Sequence, residues 1–64
     1  MTHHIPNAIL DRDLAKQVAA DLGCLIGFGA SVVAGCSLVT ITGDNGHLWQ
    51  DAYLDAYAAR EAEA

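Results

Sequence analysis

From Asn7 to Leu22 the apolar residues Leu10, Leu14, Val18 and Leu22 recur every fourth position among polar neighbours. That spacing keeps one side of a 3.6-residue helix apolar. The flanks agree with it, because Asn7 can accept hydrogen bonds as an N-cap and Gly23 stands where a C′ glycine belongs. The pattern predicts an amphipathic helix over 7–22. Asp11 and Asp13 fall in its first turn, where negative charge opposes the positive end of the helix dipole.

Leu22 to Gly43 carries no charged side chain over 22 residues and holds Leu25, Ile26, Phe28, Val32, Val33, Leu38, Val39 and Ile41. A stretch so apolar has to be hidden from water. Gly27 and Gly29 argue against one continuous helix, and the β-branched run Leu38 to Thr42 favours a strand. The period is ambiguous, so two readings stand: a short buried helix around Ala30 to Val39, or a strand or hairpin. The length also meets the transmembrane criterion of about 20 residues. Thr40, Thr42, Ser31, Ser37 and the glycines dilute it, however, and acids flank it instead of Lys and Arg, so no membrane span is expected.

Gly43, Asp44, Asn45 and Gly46 form a turn cluster, and Asp44 or Asn45 can cap a helix running to about Glu61. At about 100° per residue, Trp49, Ala52, Tyr53 and Ala56 share one side while Asp51 and Asp55 project from the other. The Ala/Glu-rich stretch from Ala56 to Ala64 favours helix as well. The fold class expected is therefore mainly α, one domain over 1–64, with two amphipathic helices around a buried apolar middle segment. The alternative is α+β, with a short strand or hairpin within 24–50.

With 64 residues, the chain buries only roughly 60% of the surface of its unfolded form and supplies a core worth about 3–5 kcal/mol. That is little scaffold for a preorganised active site, and no enzymatic activity is expected. Apolar residues make up 53% and charged residues 17%, which separates the chain from disordered sequences. The net charge of −5 repels phosphates and anionic lipids, so direct nucleic-acid binding is not expected and a basic protein surface is the partner that charge favours. Cys24 and Cys36 are too few for a disulfide scaffold and read as reduced core thiols in a cytoplasmic protein. The polar segment Met1 to Asp21 has no secretory character.

His3, His4 and His47 lack the spacings that fix a metal, apart from Met1-Thr2-His3, whose terminal amine and third-position imidazole could chelate Cu(II) or Ni(II) incidentally. No metal or cofactor is expected. Gly27-Phe28-Gly29-Ala30-Ser31-Val32 resembles the start of a dinucleotide fingerprint but lacks its third glycine. Ser31, Ser37 and the two cysteines can be paired with a histidine only on paper, with no local catalytic signature. Trp49 and Tyr53 are expected to seal the last helix against the middle segment, which leaves Tyr57 as an exposed contact.

Asp51 and Asp55 are an i,i+4 pair with Cβ atoms about 5–6 Å apart, preceded by Asp44 and followed by Glu61 and Glu63. Such acids are either an ordinary solvated face or an imitation of nucleic-acid phosphates. Asp44, Asp51, Asp55, Tyr57, Glu61 and Glu63 are accordingly the candidate partner-binding residues. A tiny, acidic, self-contained domain with carboxylates along one helix is similar to the phage-encoded anti-CRISPR proteins, and over its whole length the chain resembles inhibitors of type I-C systems. These families share no motif, so the likeness assigns no role to any residue. It implies a protein acting in the host cytoplasm by occupying a Lys/Arg-lined surface of the surveillance complex Cascade. A monomer is expected. The runner-up is an acidic interaction module such as an antitoxin or transcriptional co-regulator, and a small membrane peptide is third.

Overall fold

Met1 to Pro6, a segment to which the periodicity gives no element, opens the fold as strand β1 (Thr2–Pro6). In the computed structural model, which describes residues 1–63, a 3-10 turn at Asn7–Ile9 leads into helix α1 (Arg12–Asp21). Strands β2 (Leu25–Ala30) and β3 (Cys36–Thr42) follow as a hairpin, and a second 3-10 turn at Gly46–Leu48 runs into helix α2 (Trp49–Glu63). The fold is α+β.

The three strands lie in the order β1-β3-β2, with β3 antiparallel to both neighbours. His3 is opposite Val39, and Val39 is opposite Phe28. Because side chains alternate across a strand, His3, Ile5, Val39, Ile41, Ile26 and Phe28 point to one side. Thr2, His4, Leu38, Thr40, Leu25, Gly27 and Gly29 point to the other. The alternation is sharp in β3, where Val39 and Ile41 are fully buried and Thr40 and Thr42 are exposed.

Both helices cover the first of these faces. The Arg12 guanidinium lies 5.4 Å from the centre of the Phe28 ring, which places α1 over β2. On the other side Trp49 packs against the His3 ring, with centroids 5.3 Å apart, so α2 lies over β1. The core between the layers is Ile5, Ala15, Val18, Ala19, Cys24, Val39, Ile41, Trp49 and Tyr53. Among the described residues no helix lies over the opposite face of the sheet.

The mainly α expectation, with its middle segment held between two helices and a helix around Ala30 to Val39, is overturned. Those residues span the end of β2, the hairpin and the start of β3. β-branched residues at alternate positions of β3 gain a ladder partner on each side, which no helix could offer them. The α+β alternative fits. Among the described residues no helix is long and apolar enough to cross a membrane, because the uncharged stretch is divided between two antiparallel strands.

The first predicted helix is real but shorter. Asp11, not Asn7, is its N-cap, accepting from the Leu14 N–H at 3.1 Å. Gly23 follows the helix at φ +70°, the left-handed conformation expected of a C′ glycine. The second helix extends through Glu63, with Ala64 outside the described residues. Its core face is as expected, since Trp49 and Tyr53 are both fully buried and their rings stack at 5.1 Å.

Candidate protein-binding surface

Helix α2 is fixed along its inner side by four polar contacts. Trp49 Nε1 donates to the Ala15 carbonyl at 3.2 Å, and the Tyr53 hydroxyl donates to the Ile9 carbonyl at 2.6 Å while accepting from the Asp11 N–H at 2.8 Å. Near its C-terminal end Arg60 binds the Asp11 carboxylate at 2.5 Å. A further link runs to the sheet: His3 Nδ1 is 3.0 Å from Gln50 Oε1, and Nε2 is 3.3 Å from the Gly46 carbonyl. With its inner side held this firmly, α2 presents its outer side as a defined surface.

Taking Trp49 as zero and about 100° per residue, Leu54 lies near 140°, Ala58 near 180°, Asp51 near 200° and Asp55 near 240°. These four residues are all exposed and make up the outward face. Asp51 and Asp55 therefore do share a surface. Glu61, near 120°, is on the flank beside Leu54, and Glu63, near 320°, falls on the opposite flank. The acids form a pair with outliers rather than a continuous row, because Ala58 and Ala62 occupy the positions where the stripe would go on. Asp44 is exposed in the turn between β3 and the second 3-10 turn, off the helix.

Tyr57 is half-buried and is not the free contact expected of it. Its ring is 6.2 Å from Tyr53 and lies under the Arg60 guanidinium at 5.3 Å, so it extends the inner stack. The outward apolar residue on α2 is Leu54, 37% exposed beside the two aspartates, which the sequence reading passed over. The helical wheel alone could have found it, since it falls between Asp51 and Glu61. A carboxylate pair beside one exposed leucine has the mixed charged and apolar character of a docking face.

Among the described residues Arg60 with Asp11 is the one ion pair, so neither Asp51 nor Asp55 has a cation within salt-bridge distance. The pair acts inside the molecule. The Arg60 hydrogen bond, assisted by the Leu14 N–H, holds the Asp11 carboxyl below its ordinary range, and Asp11 in turn raises Arg60. Arg60 is thereby committed to α1 and does not neutralise the outward acids.

The remaining candidates resolve into structural roles. The Met1 amine donates to the Ile41 carbonyl at 2.6 Å, and the His3 ring turns into the core, so terminal amine and imidazole are not arranged around a common metal. Among the described residues no group of three or more His, Cys, Asp or Glu is placed to hold a metal ion. Gly27 and Gly29 lie inside β2 and not in a turn entering a helix, which removes the dinucleotide reading. Ser31 does meet a histidine: its Oγ is 2.6 Å from His4 Nδ1 and also accepts from the Val33 N–H at 3.0 Å. That exposed contact ties the β2–β3 hairpin to β1. Cys24 is buried and Cys36 half-buried, and both are free thiols. Comparison with protein-family models, with curated proteins and with solved structures found no match for the chain.

Proposed function

We propose that this protein is a stoichiometric protein-binding module that docks the outward face of α2 on a basic surface and blocks that surface to its usual polyanion. The observation that carries the reading is the pair Asp51 and Asp55. Both are exposed, about one helical turn apart, and without a cation partner among the described residues, on a helix whose other side is locked into the core. Lysines and arginines that line a nucleic-acid groove would meet two carboxylates at fixed spacing, with Leu54 beside them to exclude water. In its most specific form the target is the DNA-binding surface of a type I-C Cascade complex, and this form rests on the family resemblance alone.

The test is competition for target DNA on purified type I-C Cascade. The wild-type chain should displace DNA, and less effectively as salt is raised from about 50 to 200 mM, because exposed charges are screened over about 10 Å at 0.1 M. Asp51→Lys with Asp55→Lys should abolish displacement while leaving the circular dichroism spectrum unchanged, since neither side chain touches the core. Undiminished displacement by that double variant would remove the α2 surface from the mechanism. A second reading, an acidic interaction module such as an antitoxin or co-regulator, is favoured by the same helix surface if displacement fails on Cascade yet another basic partner is bound.

A further inference from the structure

The two edges of the sheet are not alike. Met1 and Ile41 exchange both backbone hydrogen bonds, N to O at 2.6 and 2.7 Å, so by alternation His3 and Ile5 also bond to β3 while Thr2, His4 and Pro6 turn their backbone groups outward. Proline has no N–H to offer, and that edge is blunted. On β3 the alternate residues Leu38, Thr40 and Thr42 then bond to Gly29, Gly27 and Leu25, which leaves Ile26, Phe28 and Ala30 with outward N–H and C=O groups. This second edge has no proline and no charge, and no charged residue occurs anywhere from Leu22 to Gly43.

Exposed apolar side chains cluster on the same edge. Leu25 at its start is 75% exposed, and Val32 and Val33 in the hairpin at its end are 99% and 46% exposed. Between them Gly27 and Gly29 carry no side chain on the uncovered face, and a Cβ built at either meets nothing within 4 Å. Glycine inside a strand suits the close approach of another backbone.

We propose that β2 pairs antiparallel with β2 of a second copy of this chain, joining two three-stranded sheets into one of six strands. The register that uses every outward group puts Phe28 opposite its symmetry mate and Ile26 opposite Ala30, so six backbone hydrogen bonds form around a two-fold axis at Phe28. The same register sets Val32 of one copy beside Cys24 and Leu25 of the other. The hairpin end of each edge, with Val32, is thus brought next to the Leu25 end of the other, a self-complementarity that a chance partner strand would not share. No charge has to be desolvated, and the α2 acids, which lie over β1, are carried to the far ends of the assembly. A six-residue strand gives a contact only about 20 Å long, so the buried area falls below about 1,200 Å² and the dimer is a weak one, in the micromolar range or above. The monomer expected from the sequence did not reckon with this open edge, which exists only once β3 has chosen its neighbours.

Sedimentation equilibrium tests the proposal, together with amide hydrogen exchange by NMR. The wild-type chain should pass from one copy to two below about 1 mM, with the Phe28 amide gaining protection as concentration rises while those of Thr2 and His4 do not. Val32→Lys, at a fully exposed site, and Ala30→Pro, which removes no hydrogen bond of the single copy, should each weaken association about tenfold or more. Asp51→Lys with Asp55→Lys should leave association unchanged, so the edge and the α2 surface stand or fall separately. A chain that stays single at about 1 mM overturns the proposal. So does a dimer that is indifferent to both edge variants or disrupted by the α2 variant.

Discussion

Removing one oxygen, in Tyr53→Phe, isolates the link that joins both helices to the turn before α1. The ring of Tyr53 is fully buried and stacks on Trp49, and phenylalanine keeps that packing. What goes is the hydroxyl that donates to Ile9 and accepts from Asp11, leaving one carbonyl and one N–H in part-buried surroundings without a partner. At about 0.5–1.5 kcal/mol for each net hydrogen bond, the loss is about 1–3 kcal/mol, and water reaching the half-buried backbone sets the centre near 2. For a chain whose core supplies only about 3–5 kcal/mol, that is a large fraction. With an m-value near 1 kcal/mol/M for so small a protein, the urea midpoint should fall by about 2 M, read by the fluorescence of Trp49. Tyr57→Phe is the control, because its hydroxyl makes no hydrogen bond among the described residues, and it should shift the midpoint little. A Tyr53→Phe midpoint within about 0.3 M of wild type would show that the hydroxyl bridge does not hold α2 in place.

Three further outcomes follow from particular contacts. The Asp11 carboxyl titrates below its unfolded value because Arg60, first, and the Leu14 N–H, second, favour its charged form. The stability it lends is complete above the unfolded carboxylate range and is lost as pH falls through the lowered folded value. Asp11→Asn, which keeps a capping oxygen, should flatten the dependence of the urea midpoint on pH below about 4, and an unchanged slope would discount the ion pair. Gly43→Ala should destabilise by about 1–3 kcal/mol, since φ is +148° and the new Cβ would sit 2.9 Å from Cys24 Sγ and 3.3 Å from Cys24 Cα. Gly27→Ala meets open space at an ordinary strand φ and should be neutral or stabilising by up to about 1 kcal/mol; thermal melts of the two variants moving the same way would contradict this contrast.

Helices were legible where their reasons are local. The four-residue recurrence from Leu10 to Leu22, the glycine at position 23 and the aromatic face of Trp49 and Tyr53 all depend on neighbours within a turn or two, and the structure has each of them. The starting residue of α1 was missed because Asn7 and Asp11 are equally good caps by chemistry. Asp11 prevails since Arg60 and the Tyr53 hydroxyl, both distant in sequence, bind its carboxylate and N–H. On the candidate surface Asp51 and Asp55 came out together as their spacing required. Tyr57 turned inward because Tyr53 and Arg60 enclose it, a contact no helical wheel contains.

What the chain determined by itself is its periodicity, its charge and the obligation to bury an uncharged centre. How that centre is buried was decided by tertiary structure alone. A helix completes its hydrogen bonds within its own segment, whereas a strand borrows them from residues far along the chain. Thr2 to Pro6, with two histidines in five residues, has no strand signature until β3 is beside it, and β3 has no reason to stand at the centre until both neighbours pair with it. Glycines at 27 and 29 hid the alternation of β2, because a missing side chain marks neither face. The uncovered sheet face and the open β2 edge belong to this second kind of knowledge, being consequences of strand order.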